Sequence, residues 1–121
     1  MVVLMSNFCL CLVGLLCAGV FAEENKDAPA RTIAITAERF VFTPSKIRMK
    51  QGEVVEFILT SEDTEHGFLV PGTSIHAIIP PRGKGELRVR FVANRKGEFF
   101  FECSHACGAG HNLMRGSIVV R

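Results

Sequence analysis

From Arg31 to the end of the chain, hydrophobic and polar residues alternate in short runs separated by turn-forming residues. That period of two is the signature of half-buried β-strands. Thr32 to Thr36 sets Ile33 and Ile35 on one face, and Ile47 and Met49 alternate with Lys46, Arg48 and Lys50. Gln51-Gly52 then turns the chain into an apolar run from Val54 to Thr60. Leu87, Val89 and Phe91 alternate with Arg88 and Arg90. Asn94 to Gly97 reads as a turn into the Phe-rich strand Glu98 to Glu102, and Ile118 to Val120 closes the chain. Phe68 to Val70 is a further apolar run. Ile75 to Pro81 ends in two prolines, which suits an edge or a bend, because proline cannot donate to a ladder. No segment after residue 30 has helical periodicity. Seven or eight short strands predict an all-β fold, an antiparallel Greek-key β-sandwich, with Phe57, Phe91, Phe99 and Phe101 in its core.

The N-terminus follows another pattern. Residues 1–22 carry no charge, with an apolar core from Phe8 to Phe21, and all 14 basic and 12 acidic residues lie after them. This reads as an export signal cleaved after Ala22, before the polar EENKD, or as an uncleaved membrane anchor. Ser6 and Asn7 shorten the apolar core and favour cleavage, although MVVLMSNF lacks the usual Lys or Arg. A lipoprotein site at Cys17 is disfavoured by the bulk of Leu16. Each reading puts the domain outside the cytoplasm, in the periplasm or on the outer face of a membrane. Residues 23–30 form a polar linker and residues 31–121 the domain. A length of 121 residues suits one domain. The net charge of +2, with acids mixed among the bases, gives no argument for nucleic acid. Arg82, Lys84, Arg88, Arg90, Arg95 and Lys96 read as solvated faces and turns.

Cys9, Cys11 and Cys17 lie in the apolar segment, where cysteine is a small hydrophobe. The domain keeps only Cys103 and Cys107, both in CSHACGAGHNLM, residues 103–114. That stretch adds His111 and Met114, soft and imidazole donors of the kind transition metals prefer. Gly108, Gly110 and Gly116 are expected to let it turn tightly. His66, at a loop-to-strand junction in SEDTEHGFLVPG, completes a blue-copper set with Cys107, His111 and Met114. Cys103 is surplus to that set, and a second bridging thiolate would let the site hold a second copper. A plain disulfide between Cys103 and Cys107 is an alternative that leaves His66, His111 and Met114 unexplained. A Cys2His2 zinc site leaves Met114 idle. His76 fits no motif position and reads as a surface or hydrogen-bonded histidine.

Cys103-x3-Cys107-x3-His111-x2-Met114, with His66 37 residues upstream of Cys103, resembles the dinuclear CuA domain of cytochrome c oxidase subunit II. The likeness covers about residues 31–121, including HGFLVPG and GSIVV. It implies a cupredoxin-like fold and two copper ions. Cys103 and Cys107 would bridge them, and His66 and His111 would each cap one. Met114 would be a weak ligand to one ion and the backbone carbonyl of His105 a weak ligand to the other. The family commonly has Glu at the place of His105, where it helps hold magnesium, so the resemblance does not carry that ion over. Nor do these 121 residues contain the Trp or Tyr of the family's aromatic cluster, or its two-helix membrane hairpin. The implied activity is one-electron transfer without bond-making catalysis. The implied partners are a cytochrome c-like or small copper-protein donor and an oxidase subunit I. A soluble copper shuttle and a copper carrier are the competing expectations.

Overall fold

The computed structural model describes residues 28, 29 and 31–121. The export or anchor segment and most of the linker lie outside the described residues. Nine strands follow in order: β1 (Arg31–Glu38), β2 (Val41–Thr43), β3 (Lys46–Met49), β4 (Val54–Ser61), β5 (His66–Leu69), β6 (His76–Ile79), β7 (Leu87–Val92), β8 (Gly97–Glu102) and β9 (Arg115–Val120). One 3-10 turn, His111–Leu113, precedes β9. Among the described residues no helix is long and apolar enough to cross a membrane.

The strands form two sheets, ordered β2-β1-β4-β7 and β3-β9-β8-β5-β6. The all-β cupredoxin-like sandwich expected from the sequence is present, with two differences of detail. The strand count is nine because Val41–Thr43 makes a short strand that its length hid. Two pairings run parallel, β1 with β4 and β3 with β9. Local alternation is the same in parallel and antiparallel strands, so it cannot report direction. The Ile75–Pro81 run becomes β6, an edge strand that ends before Pro80.

The inward residues of both sheets bury a continuous column of phenylalanine rings. Phe99 meets Phe91 at 5.3 Å, Phe91 meets Phe57 at 5.9 Å, and Phe57 meets Phe68 at 6.1 Å. Phe68 then meets Phe101 at 5.4 Å, and Phe101 meets Phe42 at 5.2 Å. Edge-to-face and tilted pairs of this kind add about 0.5–1.5 kcal/mol each beyond their buried area. The expected core residues Phe57, Phe91, Phe99 and Phe101 all belong to this column. The basic side chains from Arg82 to Lys96 are exposed, with Arg88 bonded to Glu56 and Glu86, and Arg95 over the Phe99 ring.

Candidate metal centre

The start of β5, the end of β8 and the start of β9 meet at one end of the sandwich, because β8 runs antiparallel to both neighbours. The inward alternation of each strand continues into the site. Phe99 and Phe101 are followed by Cys103, while His66 precedes Phe68 and Val70. Met114 precedes Ile118 and Val120 on the same inward register. The amide of Cys103 donates to the Met114 carbonyl at 3.1 Å, extending the β8–β9 ladder to both residues. Thus His66, Cys103 and Met114 form the last layer of the core, and all three are buried.

Cys107 and His111 come from the intervening loop. Cys107 is buried, with its Sγ 3.8 Å from Cys103 Sγ, and both thiols are free. His66 Nδ1 lies 3.9 Å from Cys103 Sγ. His111 Nδ1 lies 3.8 Å from Cys107 Sγ, and Met114 Sδ lies 3.9 Å from the same sulfur. The imidazoles therefore flank different sulfurs. The ligand atoms of His66, Cys103 and Cys107 all fall within 4.8 Å of one another. A metal–thiolate bond is about 2.3 Å, so sulfurs 3.8 Å apart can both touch one ion. Two thiolates, two imidazoles and a thioether are donors that suit copper.

Polar contacts orient these groups. His66 Nε2 lies 2.6 Å from Asp63 Oδ1. Burial works to raise the Asp63 carboxyl, but hydrogen bonds from the Arg39 amide, the His66 ring and the Thr64 amide outweigh it and hold it at about 2. The carboxylate accepts from His66 Nε2, which turns the Nδ1 side of the ring toward the Cys103 sulfur. The Gly67 amide donates to Cys103 Sγ at 3.3 Å, and the Cys103 thiol donates to the His105 carbonyl at 3.1 Å. Burial pushes the Cys107 thiol up to about 11, aided by the neighbouring Cys103 sulfur.

Residue 105 faces the Cys103 sulfur through its backbone carbonyl. The His105 ring instead lies 3.3 Å from Glu65 Oε1, half exposed. His76 is exposed at the edge of β6, matching its reading as a surface histidine. It shares a cavity of about 570 Å³ with Glu102, Cys103, Ser104, His111 and Met114, so the site opens on that side.

Sequence reasoning missed Asp63, Arg39 and the reason for Gly67. Asp63 carried a signal, an acid three residues before a candidate ligand. Arg39, whose Nε donates to the Cys107 carbonyl at 2.7 Å, carried none, since the two are 68 residues apart. A Cβ on Gly67 would lie 2.2 Å from Ser104 Oγ and 2.7 Å from the amide nitrogens of Ser104 and His105. The expected role of the loop glycines holds for Gly108, whose φ is +149°. Gly110 has a φ of −92° and is needed for space, because a Cβ there would lie 2.3 Å from the Phe40 ring. Gly116 likewise makes room for Phe101.

The sequence profile described as "Cytochrome C oxidase subunit II, periplasmic domain" matches residues 24–121. The chain belongs to that family. A cytochrome c oxidase subunit 2 of Thermus thermophilus is 40% identical over 91 residues, covering 74% of this chain and 65% of that protein. A nitrous-oxide reductase of Cupriavidus necator is 34% identical over 107 residues, covering 85% of this chain and 16% of that protein. The chain thus spans less than two-thirds of the length of either relative. The periplasmic domain of cytochrome oxidase subunit II from Bradyrhizobium japonicum has the same fold, with a TM-score of 0.70 at 19% identity over 78% of this chain and 86% of that one. Membership in the subunit II periplasmic-domain family places the folded part of the chain outside the cytoplasm.

Proposed function

We propose that this chain is an electron-transfer domain of a cytochrome c oxidase subunit II and holds two copper ions. The observation that carries this reading is the pair of buried free thiols 3.8 Å apart, each with an imidazole Nδ1 on its own side. Cys103 and Cys107 would bridge the ions, His66 and His111 would cap one each, and Met114 and the His105 carbonyl would be weak ligands. Bound copper supplies a one-electron couple, with charge shared over two ions. The chain's own part is to hold the donors still, so that little rearranges when an electron arrives or leaves. The sheets fix His66, Cys103 and Met114. Asp63 orients the His66 ring, and the Gly67 amide donates to the Cys103 sulfur. Burial limits the access of water to the sulfurs.

The electron enters from a cytochrome c-like or small copper-protein donor and leaves to an oxidase subunit I, with residues 1–22 as signal or anchor. A soluble shuttle is the second reading. It draws on the likeness to a nitrous-oxide reductase, a protein of another name than oxidase. Mass spectrometry of the native protein separates the two. A start near Glu23 supports the shuttle, and an intact anchor supports the oxidase subunit.

The test of the centre is copper loading followed by metal counting and EPR. Two coppers per chain and a hyperfine pattern from one electron shared over both nuclei are expected. Saturation at one copper with an ordinary mononuclear spectrum overturns the dinuclear reading. Cys103→Ser should leave a single copper held by the His66, Cys107, His111 and Met114 set. Cys107→Ser should do more damage, because it removes the thiolate beside both His111 and Met114.

A further inference from the structure

The exposed turn between β1 and β2 touches both halves of the centre. Arg39 donates from its side-chain Nε to the Cys107 carbonyl at 2.7 Å and from its backbone amide to Asp63 Oδ2 at 2.9 Å. Asp63 in turn meets His66 Nε2 through its other oxygen at 2.6 Å. One residue therefore joins the loop that carries Cys107 to the loop that leads into His66. Beside it the Phe40 ring lies against the same ligand loop, so close that a Cβ on Gly108 would meet it at 2.9 Å.

We propose that Arg39 is a positioning residue of the copper centre. It fixes the Cys107 and His66 sides relative to each other and holds a positive charge beside the Cys107 carbonyl. The inference rests on the copper reading above. An exposed arginine paired with a mobile surface carboxylate would contribute little. Arg39 differs because the acceptor is a backbone carbonyl of the ligand loop itself, so the bond acts directly on the chain that carries Cys107. Its bond is charge-assisted, shorter and roughly twice as strong as a neutral one. The rigid guanidinium fork sets the direction of that bond, which a flexible ammonium cannot do. Groups that orient metal ligands from behind typically change metal affinity by about 10–100-fold when removed. A fixed cation also disfavours the oxidised, more positive state of the centre, so its loss should make the centre harder to reduce.

The experiment compares Arg39→Ala, Arg39→Lys and Arg31→Ala in the full chain. Arg31 is a control of the same type, anchored to Glu53 and to the Arg48 carbonyl away from the site. Copper affinity is read by competition with a Cu(I) chelator, and the midpoint potential by voltammetry. Arg39→Ala should weaken copper binding by about 10–100-fold and lower the potential. Arg39→Lys should lose affinity while keeping the potential nearer to wild type, because the charge remains. Arg31→Ala should change neither.

Wild-type affinity and potential in Arg39→Ala overturn the inference, as does an equal loss in Arg31→Ala. Should Arg39→Ala fail to fold, hydrogen exchange of metal-free Arg39→Lys takes its place. Amides of residues 104–113 should exchange faster while those of β4 and β7 keep their protection, and unchanged exchange in the loop overturns the inference. Metal counting on the wild type judges the copper reading separately. A wild type that holds one ion refutes the dinuclear centre, yet its affinity for that ion still judges Arg39.

Discussion

Replacing Gly67 with alanine tests how the ligand strands are held together. The added Cβ would lie 2.7 Å from the amide nitrogens of Ser104 and His105, and 2.2 Å from Ser104 Oγ. Ordinary non-bonded contact begins near about 3.5 Å, so the β5 start and the Cys103 loop must part by roughly 0.8 Å. The hydroxyl can rotate aside, but the two amides are backbone and cannot. The same movement stretches the 3.3 Å contact from the Gly67 amide to Cys103 Sγ past useful length. Overpacking costs about 1–3 kcal/mol, and a lost hydrogen bond adds about 1 kcal/mol. The sum is about 2–4 kcal/mol. For a domain of this size that lowers Tm by roughly 8 °C or more.

The assay is thermal unfolding of the metal-free, reduced chain, followed by circular dichroism. Ser104→Ala supplies the control. Its hydroxyl is buried and has no partner among the described residues, so removing it should be neutral or slightly stabilising. In the double variant the backbone clash persists, and most of the Gly67→Ala loss should remain. A Tm within about 2 °C of wild type for Gly67→Ala would refute the reasoning. So would full rescue by Ser104→Ala, which would place the whole clash on the hydroxyl.

Met114→Leu should retain copper and shift its reduction potential, because an axial thioether is a weak ligand that tunes the centre; failure to retain copper, measured by metal counting, would show that Met114 assembles the site. His105→Glu should leave the copper optical spectrum nearly intact, since the 105 side chain turns toward Glu65 and only the backbone meets Cys103; a collapsed spectrum would make the imidazole itself a ligand. In the metal-free, reduced protein the Cys107 thiol ionises near pH 11, against an ordinary 9.0. The unfolded chain therefore loses this proton first, and stability present below about pH 9 should fall by of order 2 kcal/mol as pH rises toward 11. Denaturant titrations across that window check the slope, and Cys107→Ser should flatten it.

Much of this molecule is legible along the chain because one rule, alternation with period two, writes both the strands and the core. Ile47, Leu87, Val89 and Phe101 announce their strands and their inward faces at once. The rule fails where its signal is short or directionless. Val41–Thr43 is too brief to alternate visibly, and neither parallel pairing leaves a local mark. The candidate donors His66, Cys103, Cys107, His111 and Met114 stood out by residue type and spacing, because metal chemistry tolerates few substitutes, and the fold brings them together. Their supports did not stand out. Asp63 was marked only by standing three residues before a candidate ligand, and Arg39 acts through a hydrogen bond that exists only once distant segments meet, so nothing in its own neighbourhood marks it. Gly110 was legible as a glycine but its purpose was misread, since space against Phe40 is a tertiary fact.

The donors divide by what holds them, and that division orders how the centre should come apart. His66 opens β5, while Cys103 follows β8 and Met114 precedes β9 on the same inward register, so the strand hydrogen bonds and the phenylalanine column hold all three. Cys107 and His111 belong to the loop between β8 and β9, braced from outside by Arg39 and Phe40 and from inside by the contacts of the Cys107 sulfur with Cys103 and Met114. His111 is also half-exposed beside the open cavity, whereas His66 is fully buried. With copper held as proposed, loss of metal is expected to begin at the His111 and Cys107 side, leaving His66 and Cys103 in place. Such asymmetry explains why the chain spends a turn of the opposite sheet on clasping the loop. A redox centre of the kind proposed needs its loop-borne half to be as rigid as its strand-borne half, and Arg39 and Phe40, in the turn between β1 and β2, brace that half.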